Sequence, residues 1–474
     1  VASSSDSTEA VSGSDRSSLF GPENPYVLNP ANVRTPPRGW RPSLRFLGPG
    51  MVTSAAVVGS GELITATTLG AQVGFILLWL VIVSTFVKVA VQIEIARWSI
   101  STGRPAIDGY DQVPPRIFGR GWISYLSVLM FLQVITSQAG VISAAGLALS
   151  ILMPIDGDPT SMVSIGFWAA VMVIVAIVIH IANRYDIVER FSTALVGLVT
   201  VSAIALVFAL QATPFAWSGA DMAGGMQFQI AAGAMGVALA MFGLTGVGAG
   251  EVTAYSYWCV EKGYASWTGP NDGSDEWAER ARGWVSVMKK DAWVSWVMYT
   301  LATAAFYVLG AAVLNPQGLV PSGTDVLTTI SRIFSDTVGA WAGTLFLVFA
   351  AVTLFKTILA NMPATSRQIT NAAAVLGLLD WYDPVARDRW IRTLLIALPV
   401  TWMALGVIVS SPLALVIIGG ILNALYLLAV GIAALYLRFR VTDRRIVDGP
   451  VSTGYLVISA AAIVAVGLIS LISG

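Results

Sequence analysis

Apolar residues fall along the chain in long blocks separated by short polar stretches, and the blocks have membrane-crossing length. Eleven can be read, at about 46–70, 75–98, 121–152, 161–182, 191–211, 228–258, 291–314, 337–360, 391–410, 412–437 and 451–472. A bilayer core takes about 20 apolar residues as helix, because backbone polar groups find no water there. The pattern therefore predicts an all-α polytopic membrane protein, with the blocks as spans 1 to 11. Two intervening segments, "WAERARGWVSVMKK" at 277–290 and "RQITNAAAVLGLLDWY" at 367–382, read as short amphipathic helices at the membrane interface.

Basic residues orient the spans. Arg16, Arg34, Arg38, Arg41 and Arg45 precede span 1, and Arg104, Arg116 and Arg120 follow span 2. Arg184 and Arg190 follow span 4, while Lys262, Arg280, Arg282, Lys289 and Lys290 follow span 6. Arg367, Arg387 and Arg389 lie after span 8, and Arg438, Arg440, Arg444 and Arg445 after span 10. The intervening loops hold Arg332. By the positive-inside tendency the N-terminus is cytoplasmic and, with an odd span count, the C-terminus lies outside. Residues 1–44, Ser-rich and then Pro-rich, read as a disordered or loosely attached cytoplasmic tail on a transmembrane domain at 45–474. The tail lacks the apolar stretch of a secretory signal.

Composition narrows the function. Charged residues are 11% of the chain against about 25% in soluble domains, and the net charge is zero, which excludes nucleic acid as a partner. A single cysteine, Cys259, and a single histidine, His180, exclude a disulfide framework and a Cys/His metal cluster. There is no phosphate-cradling loop of the Walker type, and no loop is large enough for an enzyme domain. The expected partners are the lipid bilayer and a transported ion. The tail or the 259–290 loop offers the surface for any protein partner.

The candidate chemistry lies inside two spans. "GSGEL" at 59–63 interrupts span 1, and "GAGEV" at 248–252 interrupts span 6. Spans 1–5 and 6–10 form two sets of five running in opposite senses, so the motif recurs at matched places of an inverted repeat. That is the layout of transporters with discontinuous helices and a midplane site. Paired glycines make unwinding easy, and unwinding frees backbone carbonyls as ligands. A buried glutamate costs several kcal/mol unless it is paired or hydrated. Glu62 and Glu251 together imply a cation between them, or shared protons. The plainer reading is that Gly-x-Gly allows close helix packing; the recurrence with Glu in the same slot argues against it as the whole explanation.

These residues resemble the NRAMP family of divalent-metal transporters. Gly48-Pro49-Gly50, then Gly59-Ser60-Gly61-Glu62, then "GAQVGFILLW" at 70–79 follow the family's first-helix spacing without a gap. The resemblance implies a LeuT-like (APC) fold: a five-plus-five inverted repeat with an eleventh helix, and helices 1 and 6 discontinuous. It also implies secondary-active cation transport by alternating access. The chain departs from the family at the site. Gly59 stands where the family has its metal-binding Asp, and Glu62 where it has Asn. Gly248-Ala249-Gly250-Glu251 replaces Met-Pro-His-Asn, and Ser137 and Gly140 fall near the acidic proton-route residues. With the Met sulfur gone, oxygen ligands suit harder ions such as Mg²⁺ or Mn²⁺.

The substrate-binding set expected on this basis is Gly59, Ser60, Glu62, Thr245, Gly248 and Glu251, with the cation as substrate and no cofactor. Lys356 is a candidate counter-charge for either glutamate, and Asn423 and Asn361 are candidate pathway groups. Lys88, near Glu94 and Arg97, reads as snorkelling to the interface. His180 reads as interfacial, and Cys259 as packing. Two other functions compete with cation transport. One is transport of a small organic cation or amino compound; the other is a non-transporting membrane scaffold of the same fold.

Overall fold

The structure is a computed structural model that describes residues 24–182, 185–409 and 411–473. Among the described residues, nine helices are long and apolar enough to cross a membrane. The broken segment Pro49–Val73 and the helix Tyr185–Ala209 bring the number of spans to the expected eleven. Spans 2, 3, 6, 7 and 8 have 67–78% of their apolar windows buried within the protein, whereas spans 4, 9 and 11 have 28–33%. The first group is thus the inner bundle, and the second presents its apolar side chains outward, as lipid contact requires.

Both expected breaks are present, each slightly earlier in the chain than the motif suggested. Span 1 starts with Pro49 in its first turn, where a missing amide is harmless, and its first half ends at Val57. Val58 turns extended (ψ 90°), and a wide helical turn over Gly61–Ala66 leads into Thr67–Val73. Span 6 stops at Leu244, runs non-helically through 245–248, and resumes over Ala249–Glu261. Gly246 makes that break, with a φ of +63° and no room for a β-carbon, which would sit 2.9 Å from the Tyr299 ring. Each glutamate therefore lies in the first turn of the following half-helix, outside the unwound residues themselves. The two breaks touch: a β-carbon on Gly61 would lie 2.8 Å from the Leu244 carbonyl oxygen.

The two interfacial helices are corrected. Residues 277–290 form the start of span 7, a continuous helix over Asp275–Leu309. Ser274 caps it by accepting the Trp277 amide (3.0 Å), and Asp275 and Glu276 sit favourably in its first turn. At 1.5 Å per residue its 35 residues span about 52 Å, so its first turns project beyond a 30 Å core. Span 8 likewise continues through residues 367–375 as one helix, Ala340–Val375, with Pro363 inside it.

Of the tail expected over 1–44, residues 1–23 lie outside the described residues, and the remainder is docked. The Tyr26 hydroxyl donates to Glu261 (2.6 Å), and the Trp284 indole donates to the Arg34 carbonyl (3.0 Å). Burial and the neighbouring Glu261 carboxylate push the Tyr26 hydroxyl well above its ordinary pKa, which keeps it a donor.

Candidate functional site

Glu62 is fully buried and saturated with donors. The Gly59 amide donates to its Oε2 (3.0 Å), while the Gly246 amide (3.3 Å) and the Thr303 hydroxyl (3.2 Å) donate to its Oε1. One carboxylate thus ties the break in span 1 to the break in span 6 and to span 7. Asn423 on span 10 braces span 6 in the same way. Its side-chain oxygen accepts the Ala249 amide (3.0 Å) and its nitrogen donates to the Gly243 carbonyl (3.1 Å), so it bridges the gap as a peptide unit would.

Two lysines complete the region. Lys356, on span 8, donates to the Val58 carbonyl (2.5 Å). Lys88, on span 2, is fully buried and donates to the carbonyls of Phe242 (2.6 Å) and Thr245. Its expected snorkelling to the interface is therefore corrected: it reaches span 6 instead. Thr245 turns its hydroxyl back to the Met241 carbonyl (2.7 Å), with the Met241 sulfur 3.2 Å away. Ser60 is buried beside Gly59. A β-carbon at Gly59 would strike Thr357 on span 8, and one at Gly248 would strike Asn423.

Glu251 is placed differently. It is partly accessible to a cavity of about 10 Å³ between spans 1, 3, 6 and 8, shared with Gln133, Gln138, Asn361, Thr365 and Gln368. That volume is about the size of one water or one bare ion. The side-chain oxygens of Gln133 and Gln138 are buried there without a hydrogen-bond partner, an open acceptor set of the kind a cation or an N–H donor fills. Gln368 donates to the Gly250 carbonyl (2.6 Å) and fixes the half-helix that carries Glu251. Trp258 separates this cavity from a vestibule of about 870 Å³, whose lining includes Gly48, His180, Lys262, Arg367 and Leu395. Gly48, His180 and Lys262 lie at the ends of spans that meet on the face bearing the docked N-terminal segment, while Arg367 and Leu395 lie further along their helices. Cys259 is a buried free thiol.

The structure thus gathers Gly59, Ser60, Glu62, Thr245, Gly248, Lys356 and Asn423 around the two breaks; Glu251, whose Oε2 lies close against Gly248, also lines the amide cavity. Sequence reasoning did not single out Lys88, Gln133, Gln138 or Thr303 for this region. Two intramembrane glutamines within five residues of each other on span 3 were the available signal for the amide cavity. Among the described residues, no group of three or more His, Cys, Asp or Glu could hold a metal.

A family model described as natural resistance-associated macrophage protein-like matches residues 50–473. The divalent metal cation transporter MntH of Granulibacter bethesdensis is 26% identical over 188 residues, 39% of this chain and 39% of that relative. The chain's match therefore spans about two-fifths of that relative's length. A mutant of the manganese transporter of Eremococcus coleocola superposes with a TM-score of 0.65 at 14% identity, covering 94% of this chain and 90% of that one. MhsT in complex with L-phenylalanine gives a TM-score of 0.56 at 16% identity, covering 93% and 99%. The fold is LeuT-like: two inverted five-helix repeats, broken helices 1 and 6, and an eleventh span.

Proposed function

The chain belongs to the NRAMP family, and on that premise we propose that it is a secondary-active transporter of a divalent cation, Mg²⁺ or Mn²⁺ favoured. The N-terminal face is cytoplasmic, the membrane is the plasma membrane, and the cation exchanges with protons by alternating access. The observation that carries this reading is the inner cavity, which Glu251 lines together with Gln133 and Gln138, whose side-chain oxygens are unpartnered. One carboxylate among neutral oxygens suits a hard, strongly hydrated ion better than a soft one. Relatives bearing the names divalent metal cation transporter and manganese transporter support the ion class. On this reading Glu251 is the main ligand, and Glu62 holds the breaks together.

The test is uptake into proteoliposomes with Mg²⁺, Mn²⁺ and Cd²⁺ under an imposed pH gradient. Uptake of Mg²⁺ or Mn²⁺ that depends on Glu251 and moves protons the other way is expected. A marked preference for Cd²⁺ would point to a sulfur ligand, with Met241 and Cys259 the candidates. The amide-rich lining also favours a second reading, a small organic ammonium, because amide oxygens accept N–H donors as readily as they bind metal. Competition of methylammonium with the metal separates the two.

A further inference from the structure

A helix that breaks inside a membrane leaves its last carbonyls without amide partners, and the bilayer offers no water to replace them. In an unbroken span 6, Phe242 O would take the amide of Gly246, and Thr245 O that of Ala249. Here the Gly246 amide goes to Glu62 and the Ala249 amide to Asn423. Both freed carbonyls accept from the Lys88 ammonium. In span 1, Val58 O would take the amide of residue 62, and it accepts from the Lys356 ammonium at 2.5 Å. The two lysines come from spans 2 and 8, outside the broken helices, and both are fully buried. Each therefore delivers one positive charge to one break.

We infer that Lys88 and Lys356 are tethered monovalent cations, each filling the oxygen site that a helix break opens. Carbonyl oxygens from an unwound turn beside a carboxylate make a site for a small monovalent cation. Lys88 lies within electrostatic reach of Glu251 and Glu62, and Lys356 within reach of Glu62. Because the occupants are covalently part of the chain, no free Na⁺ or K⁺ is needed to hold the breaks in shape. The bland alternative is that both lysines lie there only for the packing of their aliphatic stems.

Stability separates these readings, with the native chain in methylammonium as the baseline for any binding in the amide cavity. The purified full chain in detergent micelles is unfolded thermally in choline chloride, then in NaCl, KCl or methylammonium chloride at equal ionic strength. The native protein is expected to show no saturable response to Na⁺ or K⁺; a saturable stabilisation by either overturns the inference without any variant. Lys88→Ala and Lys356→Ala are expected to unfold several degrees lower and to regain part of that loss, saturably, with methylammonium. Lys88→Met and Lys356→Met keep the stem and lose the charge, so they must fall as far as the alanine variants. Methionine variants as stable as the native chain, or alanine losses that no monovalent cation repairs, overturn the inference.

Discussion

Glu62 and Glu251 occupy the same slot of the same motif, yet their surroundings give them different work. Glu62 has donors on both oxygens from three segments, while Glu251 lines the amide cavity. Glu62→Gln presents an N–H₂ group to donors that need an acceptor, and lost hydrogen bonds to a charged group cost about 1.5–3 kcal/mol each. Its thermal midpoint is expected to fall by several degrees. Glu251→Gln is expected to unfold near the native temperature while uptake drops about tenfold or more, the loss of one ligand contact of about 1.4 kcal/mol. Equal stability losses in the two variants would remove the distinction. Gly246→Ala tests the break itself. An L-residue at a φ of +63° is strained by about 1–2 kcal/mol, and its methyl would press on the Tyr299 ring. A destabilised but soluble protein is expected on thermal unfolding, and a variant as stable as the native chain would mean that the break does not need this glycine.

At the level of elements, what a bilayer demands was legible and what neighbouring helices decide was not. Eleven spans could be counted because each crossing needs its own apolar block. The breaks could be found because Gly-x-Gly-Glu is a poor mid-helix sequence, although the unwound residues lie just before each glutamate. Periodicity could not show that residues 277–290 continue span 7, since an amphipathic stripe looks alike on a membrane surface and on a protein-packed extension. Nor could depth along span 2 reveal which way Lys88 turns. A cluster at the ends of spans 2, 7 and 10 shows the same limit. Glu94 holds Arg97 (3.2 Å) and Arg438 (3.0 Å), while Asp448 pairs with Arg97 and with Lys289 (2.8 Å). Burial raises the Asp448 pKa, but Arg97 and Lys289 outweigh it and leave the carboxyl below its ordinary value. The folded value is the lower one. Its stabilisation is therefore complete above the unfolded value of about 3.9 and lost as pH falls through the folded value. Native protein and Asp448→Asn should differ in thermal midpoint near neutrality and converge in strong acid. A gap that stays constant down the acid range would assign the effect to packing.

For the whole molecule, the vestibule and the N-terminal segment share one face. The vestibule reaches inward to Trp258, and the amide cavity lies beyond that ring. Asn24, Asn29 and Arg34 of the docked segment line it too, so in this state the amide cavity is approached from the N-terminal side. Alternating access requires a second state in which that route closes as the opposite one opens. Leu395 on span 9 lines the vestibule at 9% exposure and is not among the residues that line the amide cavity. In a Cys259→Ser background, Leu395→Cys should react with a membrane-impermeant maleimide applied from the N-terminal face and resist it from the other. A cation that closes the vestibule during transport should slow that reaction, and Glu251→Gln should abolish the slowing while leaving the basal rate unchanged. Labelling only from the opposite face would reverse the assigned orientation. Labelling that ignores the cation in the native chain would break the link between the amide cavity and the vestibule on which the transport cycle rests.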